Sequence, residues 1–325
     1  MVRIPSMSRA IACLLLILSL MVPSVAGART LTIVVHVSQG QFAANMGLVS
    51  TYMRRHMPAL DSVVIQVVPG ANGLVAANYL YNVAPRDGYT IGTFTKVVPL
   101  RAVLGDKNAK YDPREFTWIG SAGDGRDDPN VLVSRKPYGG GPLNVAEQEA
   151  GDASITDTVR NATKWDLRKI VGYSNMAEIK LALLRGEVDA TFINYRSLMA
   201  SNPELEGNII MQFGQGLTRH RDIPWVRTVA ETITDPEQSR MFRAFELSFI
   251  IPRPLVAPPG IPPEQAAVLR RAFQDTMEDP DFIREATKLS MNTTYVDYIE
   301  AKSVVDRLYN IDRGILTRLQ GSRHP

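Results

Sequence analysis

Cysteine is nearly absent from this chain. Its single example, Cys13, lies within an apolar stretch near the start of the 325 residues. The rest of the sequence therefore has no disulfide, no thiolate nucleophile and no cysteine-ligated metal. Histidine is almost as scarce. The four, at 36, 56, 220 and 324, are scattered, and no H-x-x-x-H or carboxylate–histidine spacing links them. That excludes the common metal motifs. G-x-x-x-x-G-K-(S/T) and G-x-S-x-G do not occur, so neither a phosphate loop nor a serine nucleophile elbow is present. Charge of one sign is also lacking, with 36 Lys+Arg against 33 Asp+Glu. The first 28 residues hold two Arg and no acid, so the remainder is close to neutral and carries no nucleic-acid signature. Beyond them no run is long and apolar enough for a membrane-crossing helix.

What is present begins with an export signal. Arg3 and Arg9 make a positive start, residues 11–22 are apolar, and Ala26-Gly27-Ala28 supplies small residues for cleavage. The apolar run falls short of the roughly 20 residues that span a bilayer. Cleavage after Ala28 leaves a soluble chain long enough for two ordinary domains. Export without disulfides fits a bacterial periplasm and stability drawn from a large core.

Residues 63–95 read as one β-α-β unit. VVIQVV at 63–68 has the continuous apolar character of a buried parallel strand. Pro69-Gly70-Ala71-Asn72-Gly73 stops it, and residues 74–83 place Leu74, Ala77, Leu80 and Tyr81 on one helix face. Pro85 and Gly88 end the helix, and residues 89–94 form the next strand. Two strands so joined should pair in parallel with a right-handed crossover, and ligands gather beyond the carboxyl ends of such strands. Thr93, Phe94, Thr95 and Lys96 stand there. A preceding β-α unit joins a strand at 31–37 to a helix at 42–57. His36 on that strand reads as a structural residue rather than a ligand contact.

The string PGANGLVAANYLYNVAPRDGYTIGTF at 69–94 resembles the solute receptors of tripartite tricarboxylate transporters, the TctC or Bug family. Those proteins have a PGAGG-like turn and a P-x-D-G-x-x-(I/L)-G end to this unit. Further likenesses follow in order: residues 111–121 leading into a hinge, R-G-E-V-D-A at 185–190, R-H-R-D-I-P-W-V at 219–226, the A-P-P-G-I-P turn at 257–262 and D-P-D-F at 279–282. The resemblance implies an α/β chain of the type II periplasmic-binding-protein fold, two α/β domains with a ligand cleft between them. It places domain I at 29–122 and 247–325 and domain II at 123–246.

The resemblance also implies a site. Family members hold a carboxylate with backbone N–H groups in a glycine-rich first loop. Here Gly40 is flanked by Gln39, Gln41 and Phe42, and Ala43-Ala44 stands where an acid is usual. A second ligand loop falls at 151–158, where Ser154, Thr156 or Asp157 can cap a helix or donate to the ligand. The expected contacts are Ser38, Gln39, Gly40, Gln41, Thr93, Phe94, Thr95, Ser154, Thr156, Asn194 and Tyr195, neutral donors around an anion. Arg196 follows and can pair with a carboxylate or be solvated. Phe42, Phe94 and Tyr195 suit either an aromatic-acid pocket or core. Asp124, Asp127 and Asp128 read as a solvated linker and lack calcium-loop spacing. Residues 137–151, with a triple glycine, are weakly patterned, as though a helix and a strand of the family were deleted.

The reading is a periplasmic receptor that captures a small organic acid and delivers it to integral membrane transporter subunits. It is not an enzyme, and needs no cofactor, metal or nucleic acid; a monomer is expected. A periplasmic sensor signalling to a membrane kinase is the alternative, and a periplasmic enzyme a more distant one, for want of a nucleophile–base set.

Overall fold

The computed structural model describes residues 29–148, 154–173, 175–214 and 216–311. The signal peptide expected at 1–28, residues 149–153 with the start of the second ligand loop, and the tail after 311 lie outside them. Strand β1 (Thr30–Val35) leads to α1 (Gly40–Arg55), then β2 (Ser62–Val67), α2 (Leu74–Asn82), β3 (Thr90–Thr93), α3 (Val97–Val103) and β4 (Thr117–Ala122). The chain then crosses to β5 (Asn130–Ser134), β6 (Leu143–Gln148), α4 (Ile155–Thr163), β7 (Leu167–Tyr173), α5 (Met176–Arg185), β8 (Ala190–Asn194), α6 (Tyr195–Ser201) and β9 (Ile209–Phe213). After α7 (Pro236–Leu247) it returns through β10 (Pro254–Ala257), α8 (Pro263–Glu278), α9 (Pro280–Lys288), β11 (Tyr295–Asp297) and α10 (Tyr298–Tyr309).

The strands form two sheets. The first has the order β11-β4-β10-β3-β1-β2 and the second β7-β6-β8-β5-β9. β2 and β3 are parallel, as their helical connection requires, but they do not pair with each other. β1 lies between them, with Thr32 opposite both Val64 and Thr90. β2 is thus an edge strand and not the buried one its composition suggests: Val64, Ile65 and Val67 are 49%, 41% and 42% exposed. The apolar run alone carries no information on edge or centre. The more buried β1 takes the middle because it can be covered on both faces.

The 137–151 stretch also differs from expectation. It contains β6, which pairs in parallel with both β7 and β8. The strand was hidden because its residues, LNVAEQ, mix polar and apolar types. Helix ends follow local chemistry. Ser154 accepts from the Asp157 N–H at the start of α4, Asn175 accepts from Glu178 at the start of α5, and Gly186, with φ of 78°, closes α5.

One apolar cluster runs through both sheets, from Leu80, Phe94 and Trp118 to Leu132, Val145 and Phe192. Phe213, Phe242, Phe245 and Phe249 link the halves, with the Phe213 and Phe249 rings 5.0 Å apart. The crossing segment is part of this junction. Asp124 and Asp128 are buried, not solvated as linker residues would be. Asp124 is ion-paired with Arg126, which also reaches Glu300 at 2.7 Å. Burial is tolerated because each carboxylate finds donors.

Candidate functional site

The carboxyl ends of β1 and β3 face the carboxyl end of β8 across the junction. The register fixes this. Asn130 at the start of β5 lies opposite Asn194 at the end of β8, and opposite Phe213 at the end of β9. The segment entering β5 comes directly from β4 of the first sheet.

On the first-sheet side, His36 follows β1. It is buried, and burial pushes its imidazole down to about 4, against a hydrogen bond to the Thr93 backbone. The ring is therefore neutral at pH 7 and stands edge-on to Phe42 at 4.4 Å. Next come Ser38, Gln39, Gly40 and Gln41, all exposed. Gly40 has φ of 83° and opens α1, whose first turn has no side-chain cap and no acid. Gln41 Nε2 donates to Leu289 O at 2.9 Å. At the end of β3, Thr93 is fully buried. Phe94 is also fully buried and packs against Phe116, so its side chain is core. Thr95 Oγ1 donates to Asn72 O at 2.8 Å and holds the 70–73 turn.

Charge at the junction is the feature that neutral-donor reasoning missed. Lys96 Nζ is 3.4 Å from Asn130 Oδ1 and 3.9 Å from the centre of the Phe249 ring. Burial pushes this ammonium down to about 7, with Asp128 opposing and Arg253 adding to the effect. Arg253 enters from the strand that returns to the first sheet. It donates to Ala122 O at 3.2 Å. With the Asn45 amide turned so that its oxygen faces the guanidinium, Asn45 accepts from Arg253 Nε and Nη2, both at 3.0 Å. Burial lowers the Arg253 pKa and Asp128 opposes it.

From the second sheet, the Arg196 N–H donates to Asp128 Oδ1 at 2.9 Å, and Asn194 Nδ2 donates to Asp128 O at 3.1 Å. Burial raises the Asp128 pKa, and that backbone bond together with Arg253, Arg196 and Lys96 works the other way. The buried Asp128 carboxylate thus lies in the field of three cations. Tyr195 is buried, and its hydroxyl donates to Glu206 Oε1 at 2.6 Å, so it points away into the second core.

Ser154 and Thr156 sit elsewhere on the same edge of the second sheet. Both are engaged by Glu147, at the end of β6. Ser154 Oγ donates to Glu147 Oε2 at 2.5 Å, and the Thr156 N–H donates to Glu147 Oε1 at 2.9 Å. Among the described residues, His36 Nδ1, Thr93 Oγ1, Thr156 Oγ1 and Arg196 Nε are buried without a hydrogen-bond partner. No group of three or more His, Cys, Asp or Glu among them is placed to hold a metal ion.

Of the sequence-predicted residues, the structure brings Thr93 and the 38–41 loop to one side of the junction and Asn194 to the other. It turns Phe94 and Tyr195 into core and commits Ser154 to an internal carboxylate. Lys96, Asp128 and Arg253 are additions. Lys96 was visible as the residue beyond a strand end, but nothing in the sequence joined it to positions 128 and 253.

Two sheets flanked by helices and joined by crossing segments, with polar strand ends facing each other, are the architecture of the type II periplasmic-binding-protein fold. No family model matches the sequence, and no curated protein matches it. Solved structures do resemble it. A TctC solute-binding protein from Polaromonas is 16% identical, with a TM-score of 0.62 over 90% of this chain and 99% of that one. The periplasmic binding protein BugD is 17% identical, with a TM-score of 0.65 over 90% and 97%. MatC from Rhodopseudomonas palustris with bound malate is 21% identical, with a TM-score of 0.62 over 91% and 99%. The chain therefore has the fold of the TctC and Bug solute-binding proteins.

Proposed function

We propose that this chain is a TctC/Bug-type periplasmic receptor, and not an enzyme, that captures a small organic acid and delivers it to the integral membrane subunits of a tripartite tricarboxylate-type transporter. The observation that carries the reading is the charge imbalance between the two sheets: Lys96, Arg196 and Arg253 against Asp128 alone. Partly buried cations in excess favour an anion, and each charge-assisted hydrogen bond to a carboxylate contributes about 1.5–3 kcal/mol. The exposed Ser38–Gln41 loop adds backbone N–H groups at the uncapped start of α1, where the helix dipole also favours an anion. The two halves close on the ligand about the crossing segments, so binding shifts the population toward the closed state. Solved proteins of the same fold include one with bound malate.

The test is thermal unfolding of the exported chain with a panel of organic acids and their neutral amides. An acid at 100-fold its dissociation constant should stabilise the fold by about 2.7 kcal/mol. The gain should vanish in Arg196→Met, whose guanidinium Nε has no partner to lose. A panel in which no acid raises the melting temperature sinks the proposal.

A further inference from the structure

Two helix N-termini lie at strand ends on the facing edges of the sheets, and they differ. α1 begins with exposed backbone and no side-chain cap. α4 begins against Glu147, whose two oxygens each take one donor, from Ser154 Oγ and the Thr156 N–H. This is how a helix N-terminus binds a free carboxylate, except that the carboxylate belongs to the chain. β6 and β8 are parallel neighbours, so Glu147 and Asn194 emerge at the same end of the second sheet.

The site is built for an anion. Thr156 is fully buried and its Oγ1 has no partner. Burial pushes the Glu147 carboxyl up, and its bonds from Ser154 and the Thr156 N–H, with the charge of Lys169, work the other way and favour the carboxylate. The Lys169 ammonium is ion-paired with Asp157. Arg160 holds the same Asp157 at 2.8 Å. The local cations are therefore matched by Asp157 and Glu147, and a second anion entering here would meet both.

We propose that Glu147 fills the anion position at the head of α4 with the chain's own carboxylate, so that this receptor takes a ligand with one carboxylate and rejects one with two. The inference rests on the receptor reading above and narrows it. The ligand's single carboxylate goes to the cationic junction of Lys96, Arg196 and Arg253. Its far end meets a position already occupied by negative charge. Placing two like charges together inside a cleft is unfavourable, so Glu147 discriminates by repulsion rather than by a new contact.

Matched pairs of acids test this: butanoate against butanedioate and hexanoate against hexanedioate, measured by calorimetry on the exported chain. Wild type should bind the better monoacid at least about tenfold more tightly than its diacid, equivalent to about 1.4 kcal/mol. Glu147→Gln, which keeps the side chain's size, should narrow or reverse that ratio by about tenfold. Glu147→Ala should lose thermal stability and recover part of it with acetate, which refills the α4 position. A diacid that binds wild type as tightly as its monoacid overturns the inference and leaves the receptor reading standing. An unchanged ratio in Glu147→Gln also overturns it. Failure of every acid to bind wild type overturns both, and the acetate response of Glu147→Ala then reports on the α4 position alone.

Discussion

Lys96→Met should strengthen the ligand-free protein and weaken its hold on an acid. Burial pulls the Lys96 ammonium from its ordinary 10.5 to about 7. Between those two values the folded state holds fewer protons than the unfolded state, so stability from this group rises with pH across that window. Its cost is largest below pH 7 and has gone by about 10.5. At about 1.4 kcal/mol per pKa unit, the cost is about 5 kcal/mol at pH 6 and about 2 kcal/mol at pH 9. Methionine keeps most of the aliphatic stem and carries no charge. The advantage of Lys96→Met over wild type should therefore shrink by about 3 kcal/mol between pH 6 and pH 9. Whatever methionine itself gains or loses against Phe249 is common to both pH values and cancels in that difference. Urea unfolding of the two proteins at pH 6, 7.5 and 9 measures it. A stability difference that does not change with pH would refute the argument, since Lys96 would then not be a desolvated cation. The same variant should show a smaller thermal shift with any acid that stabilises wild type. Gain of stability with loss of binding marks a residue retained for function.

Two further outcomes follow from other parts of the molecule. Glu246 is buried beside the Gly214 N–H, which it accepts at 2.9 Å, and burial raises its carboxyl from 4.5 to about 7. The folded state keeps a proton that the unfolded state has lost, so this group's contribution falls by about 3 kcal/mol as pH rises from 4.5 to 7. In Glu246→Gln that part of the pH dependence should disappear from urea unfolding curves; an unchanged slope counts against it. Gly73→Ala should destabilise the protein by at least about 2 kcal/mol in the same assay, because φ there is strained for alanine and the added carbon meets packed core. The residue has φ of 95°, and its Cβ would lie 2.8 Å from Phe94 Cβ. A variant as stable as wild type would show that the 70–73 turn can relax.

The alternation of strands and helices was legible in the sequence because it rests on local chemistry. The 69–73 turn needs Gly70 and Gly73 at positive φ, α5 closes on Gly186, and α8 starts at Pro263. Capping residues, glycines and apolar periodicity act within a few positions of each other, so one pass along the chain finds them. The fold class and the ends of strands that face the junction follow from the same signals. β6 was missed because its half-polar sequence lacks a periodic apolar pattern, and β2 was misplaced because strand order depends on which faces are covered.

The composition of the site was decided by the tertiary structure. Lys96, Asp128, Arg196 and Arg253 come from four separate segments, and only the packing of two sheets against a shared phenylalanine cluster brings them together. Their effect on one another depends on desolvation, which no stretch of sequence displays. Ser154 shows the same division. Its identity as a helix cap could be read directly, whereas its pairing with Glu147 arises from the pairing of β6 with β7 and β8. The sequence by itself determined the elements and their turns, through interactions between near neighbours. The placement of charge at the junction was left to contacts between residues far apart in the chain.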